Sequence, residues 1–319
     1  MQRRDLLKLG TAALLASMRP DMVRAAAVPA TEPMDAAAFH ASRRFASTSF
    51  GRIAYVSQGR GEAALFLHGF PLNGFQWRGA IARLSAHRRC IAPDLLGLGY
   101  TEPVPGQSVA PAAQVEMLRA LLNHLNIGSV DLVASDSGGL TAQLFTVRYP
   151  WRVRSLLLTN CDVEIDSPPP ALAEPLKLAR AGTFGSVFLR RQYEDKALAR
   201  SGLGAACYTS KANPTDEMVE VYLGPLTRDS MRCALTDTFC LGLEKNALAG
   251  IEAKLKKLTQ PVQLVWGAAD DIFPLSDAEY LSGVLPGSLG IRRVEGGRLF
   301  FAEEYPDVIA EAAKKLWGV

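Results

Sequence analysis

The chain has 319 residues, of which 48% are hydrophobic and 21% charged, with a formal net charge of +3. That length and composition support a large buried core and exclude a fibrous, disordered or disulfide-stapled miniprotein. Residues 1–27 hold five basic and two acidic side chains, which leaves 30 of each sign in the remainder, so the bulk of the chain has no net attraction for polyanions and nucleic acid is excluded as an expected partner.

The first 27 residues differ in kind from the rest. Arg3-Arg4-Asp5-Leu6-Leu7-Lys8 is a twin-arginine run, followed by a weakly apolar stretch from Leu9 to Met18 and small residues at Ala25-Ala26-Ala27. The pattern predicts an export signal and a periplasmic destination. Its apolar part is well short of the roughly 20 residues needed to span a bilayer, so stable membrane insertion is not expected. Residues 28–44 read as a linker.

From about residue 45, short aliphatic runs alternate with longer segments of helical spacing. Strands are predicted at Arg52 to Val56, Ala64 to Leu67, Arg89 to Ala92, Val130 to Ala134, Arg154 to Leu158, Gln260 to Trp266 and Ile291 to Val294. Helices are predicted at Ala80 to Ser85, Ala112 to Leu125 and Leu140 to Tyr149. The alternation implies a mainly parallel twisted sheet flanked by helices, with ligands beyond the carboxyl ends of the strands. The rhythm breaks from 166 to 250, after Ser167-Pro168-Pro169-Pro170, in a stretch that reads as helices alone. It is expected to form a helical cap inserted between core segments 45–165 and 251–319.

Three strand ends carry chemistry. Val130-Asp131-Leu132-Val133-Ala134-Ser135-Asp136-Ser137-Gly138-Gly139 runs a strand into a turn of small residues with an acid at its apex. A nucleophile on such a strained turn needs small neighbours on both sides, here Ala134 and Gly138. Ser137 at the tip is a rival reading of the same letters. Phe66-Leu67-His68-Gly69-Phe70-Pro71 follows another strand and can aim the Phe70 N–H at the same point as the Ser137 N–H, forming an oxyanion hole. His68 reads as a brace for that turn. Val265-Trp266-Gly267-Ala268-Ala269-Asp270-Asp271 is a third strand end followed by acids.

The order His-Gly-Phe-Pro, Asp94-Leu95-Leu96-Gly97-Leu98-Gly99, the Asp elbow, a helical cap and Gly-x-x-Asp resembles the α/β-hydrolase fold, and within it the epoxide hydrolase and haloalkane dehalogenase branch. The resemblance implies that Asp136 attacks an electrophilic carbon to give an alkyl-enzyme ester, with Phe70 and Ser137 supplying oxyanion donors. It further implies that Asp270, with Asp162 as a second candidate, orients a histidine that activates water. Cap tyrosines, here Tyr193, Tyr208 and Tyr222, protonate the opening oxygen in the epoxide hydrolases. The halide-binding Trp of the dehalogenases and the carboxylate-binding Arg of the fluoroacetate enzymes both correspond to Ser137, which places an epoxide ahead of a halide or an ester.

The family's histidine context aligns without gaps on Gly296-Gly297-Arg298-Leu299-Phe300-Phe301-Ala302-Glu303-Glu304-Tyr305-Pro306, and Leu299 stands where the histidine belongs. The four histidines are at 40, 68, 87 and 124, all upstream of the elbow. Leucine has no lone pair, so base catalysis at 299 is impossible. Three expectations follow: a hydrolase of small apolar electrophiles whose base has moved to Asp162, Glu164, Asp270 or Asp271; a lyase or isomerase using Asp136 as acid or base; or an inactive ligand-binding homologue. Arg298 is a candidate to neutralise an Asp270 that has lost its imidazolium partner. No cofactor or metal is expected, because neither a phosphate-cradling glycine motif nor clustered His and Cys ligands occur. The five cysteines have no C-x-x-C spacing, and Cys207, Cys233 and Cys240 are the pool for a disulfide if one forms.

Overall fold

The computed structural model describes residues 32–319. The twin-arginine run and the export-signal reading lie outside the described residues. The segment expected as a linker is partly ordered: α1 (Ala36–Ala41) is capped by the Asp35 side chain, and β1 (Arg44–Thr48) already belongs to the sheet. β1 escaped the sequence reading because only Ala46 of its five residues is buried, so it lacks the apolar run that marks the inner strands.

In chain order the core continues through β2 (Gly51–Gln58), β3 (Ala63–Leu67), α2 (Arg78–Leu84), β4 (Arg89–Pro93) and β5 (Glu102–Pro103). It then runs through α3 (Pro111–His124), β6 (Val130–Ala134), α4 (Ser137–Arg148) and β7 (Val153–Leu158). Strand order is β1-β2-β4-β3-β6-β7-β8-β9, with β5 pairing β2. β1, β2 and β5 pair antiparallel, whereas the strands from β4 through β3 to β9 run parallel. Every residue of β3 and of β6 is buried, as a central strand covered on both faces requires. The acid inside β6, Asp131, is paired: Arg88 Nε donates to it at 2.9 Å, Arg154 Nη2 at 2.7 Å and Ser155 Oγ at 2.8 Å.

After β7 the chain enters helices α5 (Ala173–Arg180), α6 (Arg190–Glu194), α7 (Lys196–Ala199), α8 (Ala205–Cys207), α9 (Asp216–Thr227) and α10 (Ser230–Gly242), with no strand among them. The sheet resumes past α11 (Glu252–Leu255) with β8 (Val262–Gly267), α12 (Leu275–Val284) and β9 (Ser288–Val294), and the chain closes with α13 (Phe301–Glu304) and α14 (Pro306–Trp317). The helical layer is tied to the core by buried polar links. Arg232 on α10 donates to the carbonyls of Thr101 and Gly99, and Asn73 Nδ2 donates to Val221 O at 2.8 Å. Among the described residues no helix is long and apolar enough to cross a membrane. All five cysteines are buried free thiols, and no two of Cys207, Cys233 and Cys240 are bonded to each other.

Candidate active site

β6 delivers Asp136 to the apex of its turn in a backbone conformation, φ 53° and ψ −132°, that non-glycine residues rarely adopt. Such a residue costs on the order of 1–3 kcal/mol and persists only where the surroundings over-determine it. Here the Asp136 N–H donates to Asn160 O at 2.8 Å, and α4 begins at once. The two glycines after the apex are sterically demanded: a Cβ on Gly138 would lie 2.5 Å from Leu67 O, and one on Gly139 2.4 Å from Cys161 Cβ. Ser137, the rival tip, is instead the first residue of α4, and its buried hydroxyl has no hydrogen-bond partner.

The two expected oxyanion donors converge on the aspartate. Phe70 N–H donates to Asp136 Oδ2 at 2.9 Å and Ser137 N–H to Oδ1 at 2.6 Å. The turn that aims Phe70 is braced by His68, whose Nε2 accepts from Leu95 N–H at 3.0 Å while Nδ1 lies 2.9 Å from Gly69 O. Burial lowers the His68 pKa, in keeping with a neutral imidazole that uses both nitrogens structurally. None of the four histidines lines the cavity at Asp136.

That cavity has a volume of about 370 Å³. Its walls are mainly apolar, with Phe70, Phe184, Phe188, Phe273 and Leu299 among them, and its acidic liners are Asp136, Asp162 and Glu174. Leu299 is buried against this space, so the position aligned with the family's histidine does face the elbow, with a side chain that can only exclude water.

The other sequence candidates separate cleanly. Asp162 lines the cavity and accepts Ser167 Oγ at 2.8 Å. Asp270 is buried behind that wall, where Asn160 Nδ2 donates to it at 2.9 Å and Ile272 N–H and Phe273 N–H at 3.1 and 3.3 Å. Glu164 faces away and accepts the N–H groups of Gly250 and Glu252. Asp271 is exposed and pairs with Arg298 at 3.3 Å. The expectation that Arg298 neutralises Asp270 is thereby corrected: its guanidinium is held at the surface, and backbone and amide donors satisfy Asp270 instead.

The tyrosines also lie elsewhere. Tyr208 and Tyr222 both donate to Glu303, at 2.7 and 2.5 Å, in a buried cluster completed by Arg78. Tyr193 sits against Lys196 and Glu220. None of the three lines the cavity, so none is positioned to protonate an opening oxygen there. Their helical spacing in sequence could not distinguish a ring aimed at the site from one aimed at a buried carboxylate.

Two residues went unnoticed in the sequence. Asn160, just past β7, joins the elbow to the Asp270 loop: its carbonyl holds Asp136 N–H, its Oδ1 accepts Gly267 N–H at 2.7 Å, and its Nδ2 reaches Asp270. A polar residue directly after an apolar strand was the available signal. Asp277, on α12, is a further buried acid with one oxygen unpartnered.

Among the described residues, none of Asp136, Asp162, Asp270 and Asp277 is in an ion pair. Burial, then the charge of Asp162, pushes Asp136 up to about 8 against the opposing N–H groups of Phe70 and Ser137. Burial pushes Asp162 and Asp270 each up to about 6, and Asp277 up to about 7. Desolvation of this kind favours the neutral acid. No group of three or more His, Cys, Asp and Glu side chains among the described residues could hold a metal ion.

Comparison with known proteins agrees with this architecture. The profile of the alpha/beta hydrolase fold matches residues 64–305. A cis-3-alkyl-4-alkyloxetan-2-one decarboxylase of Shewanella oneidensis is 27% identical over 244 residues, 72% of this chain and 74% of its own. Haloalkane dehalogenase 2 of Mycobacterium tuberculosis is 26% identical over 286 residues, 86% of this chain and 94% of its own. Among solved structures, the epoxide hydrolase CorEH superposes with a TM-score of 0.71 at 21% identity, covering 86% of this chain and 98% of its own. With its strand order, its elbow and these relatives, the chain belongs to the α/β-hydrolase fold family.

Proposed function

We propose that the protein is a hydrolase in which Asp136 opens a small, uncharged, apolar electrophile, an epoxide ahead of a halide or ester, and in which Asp162 does the proton work elsewhere assigned to histidine. The observation that carries this reading is the grip of two backbone N–H groups on Asp136 at the floor of an apolar cavity that also holds Asp162. No Lys, Arg or His lines that cavity, so nothing there would balance an anionic substrate.

In the first step an Asp136 oxygen forms a bond to an epoxide carbon as the carbon–oxygen bond breaks, and protonated Asp162 gives its proton to the departing oxygen. In the second, the Asp162 carboxylate takes a proton from water as the water oxygen adds to Cγ of the Asp136 ester. The Phe70 and Ser137 N–H groups then face the tetrahedral oxyanion, a placement worth a few kcal/mol per donor. Collapse breaks the Cγ–O bond to the substrate, and the departing alkoxide takes a proton and leaves as the diol with an oxygen that began on Asp136. The water oxygen stays on the Asp136 carboxyl, and one proton is again shared by Asp136 and Asp162. A single carboxyl serving as acid and then as base follows the logic of two-step carboxylate enzymes.

A second reading, a non-hydrolytic reaction with Asp136 as acid or base, draws on its elevated pKa and on the decarboxylase relative. Intact-mass measurement after exposure to epoxides, alkyl halides and activated esters separates the two. With alkyl halides, whose leaving group needs no proton, an adduct on Asp136 that is transient in the parent and accumulates in Asp162→Asn supports the hydrolase; product formed with no adduct in either protein supports the second reading.

A further inference from the structure

The cavity at Asp136 has a neighbour. Leu178, Phe188, Gln192 and Gly202 line both that cavity and a second depression of about 300 Å³, whose remaining walls include Val187 and Leu198. Its lining is open to water: Val187 is 47% exposed and Phe188 40%. Large apolar side chains left exposed in a groove mark a surface that an apolar ligand covers.

The shared wall has an unusual backbone. Phe188 lies on one π-helical turn, Phe184–Leu189, and Gly202 on another, Arg200–Gly204. Such turns are rare and recur at functional sites. A Cβ at position 202 would come within 3.1 Å of Gln192 Oε1, so the glycine leaves the Gln192 side chain its room. The Phe188 ring stacks on Phe184 at 5.5 Å, and Phe184 lies 5.5 Å from Phe70, whose N–H holds Asp136. A row of three rings thus leads from the elbow to the outer groove.

We propose that the two compartments bind one elongated ligand, its reactive end at Asp136 and an unbranched apolar tail passing Phe188 and Gln192 into the outer groove, which makes these two side chains determinants of chain-length specificity. The placement of the reactive end rests on the function proposed above, whereas the seat of the tail does not. The chemistry of the tail follows from the groove, where Arg191 is the one charged liner and the apolar area is supplied by Leu178, Val187, Phe188 and Leu198.

Calorimetric binding of unreactive 1-alkanols from six to twelve carbons to the full chain tests this without turnover. Each added methylene that is buried should tighten binding by about fourfold, and the gain should persist along the series. Val187→Trp and Leu198→Trp fill the groove from residues that do not line the Asp136 cavity, and Val187 is exposed enough that folding is not at stake. Both variants should bind hexanol like the parent and dodecanol at least about tenfold more weakly, the loss of two or more buried methylenes. Unchanged dodecanol affinity in both variants, or an equal loss for hexanol and dodecanol, would overturn the proposal. A protein that binds long alkanols in this manner but shows no chemistry at Asp136 would overturn the proposed reaction and leave the tail site standing.

Discussion

Leu299 and Asp136 line the same cavity, so the position that aligns with a catalytic histidine faces the elbow and carries a side chain with no proton to move. The consequence is electrostatic as well as chemical. Without an imidazolium, Asp136 has only the N–H groups of Phe70 and Ser137 to offset its burial, and its pKa rises to about 8.

Asp136 and Asp162 interact, so they titrate as a pair rather than as two independent groups. Opening of an epoxide needs Asp136 ionised and Asp162 protonated, which is the minor arrangement of one shared proton, since the higher pKa of Asp136 keeps that proton mainly on Asp136. The single-turnover rate of ring opening should therefore be bell-shaped, falling below about 6 as both carboxyls protonate and above about 8 as both ionise. A stopped-flow pH profile that rises without limit through pH 9 would remove Asp162 from the acid role.

A carboxyl whose folded pKa lies above its unfolded value weakens the fold as pH rises. Between about 4, where the unfolded group loses its proton, and about 8, where the folded one does, the native state binds the extra proton. Asp136→Asn removes this penalty, so it should abolish turnover and raise the melting temperature at pH 8, with a gain of up to a few kcal/mol at roughly 1.4 kcal/mol per pKa unit. At pH 4 the gain should vanish, and thermal melts at the two pH values read the difference.

Asp270 is the triad acid by position, yet it touches no histidine. Loss of that acid in a complete triad lowers kcat by about 10⁴. Here Asp270→Asn should change kcat by less than about threefold, because its partners are the N–H groups of Ile272 and Phe273 and the Asn160 amide. Asn160→Ala is the sharper lesion. It strips Gly267 N–H and Asp270 of buried partners at about 1–3 kcal/mol each, which chemical denaturation will register.

Leu299→His restores a base to a wall that faces Asp136. With activated esters or epoxides it should speed decay of the Asp136 ester in single-turnover mass measurements by at least about tenfold, within the range of general-base catalysis. Unchanged decay would mean that position 299 no longer has the geometry its alignment implies.

The sheet was readable from sequence wherever strands are buried on both faces: β3, apolar throughout, and β6, apolar but for the paired Asp131, fall where the residue pattern puts them. The edge strand β1 and the helix α1 were not, since a half-exposed edge carries no such run. The elbow was legible because strain and close packing demand Asp136, Gly138 and Gly139 in sequence. The surroundings of Asp136 were not, because the side of a helix that a tyrosine occupies, and the fact that Glu303 captures both Tyr208 and Tyr222, are decided by packing between distant segments. Asn160 escaped for the same reason, as its worth lies in joining residues 136, 267 and 270.

The central claim is that Asp136 becomes an ester and is regenerated by water. Single turnover in oxygen-18 water, followed by proteolysis and mass analysis of the peptide that carries residue 136, tests it directly. The account predicts a two-dalton gain on Asp136 after one turnover and an unlabelled product, because the carboxyl supplies the product's new oxygen and water replaces it. Product carrying the label while Asp136 stays unlabelled over repeated turnovers would contradict it.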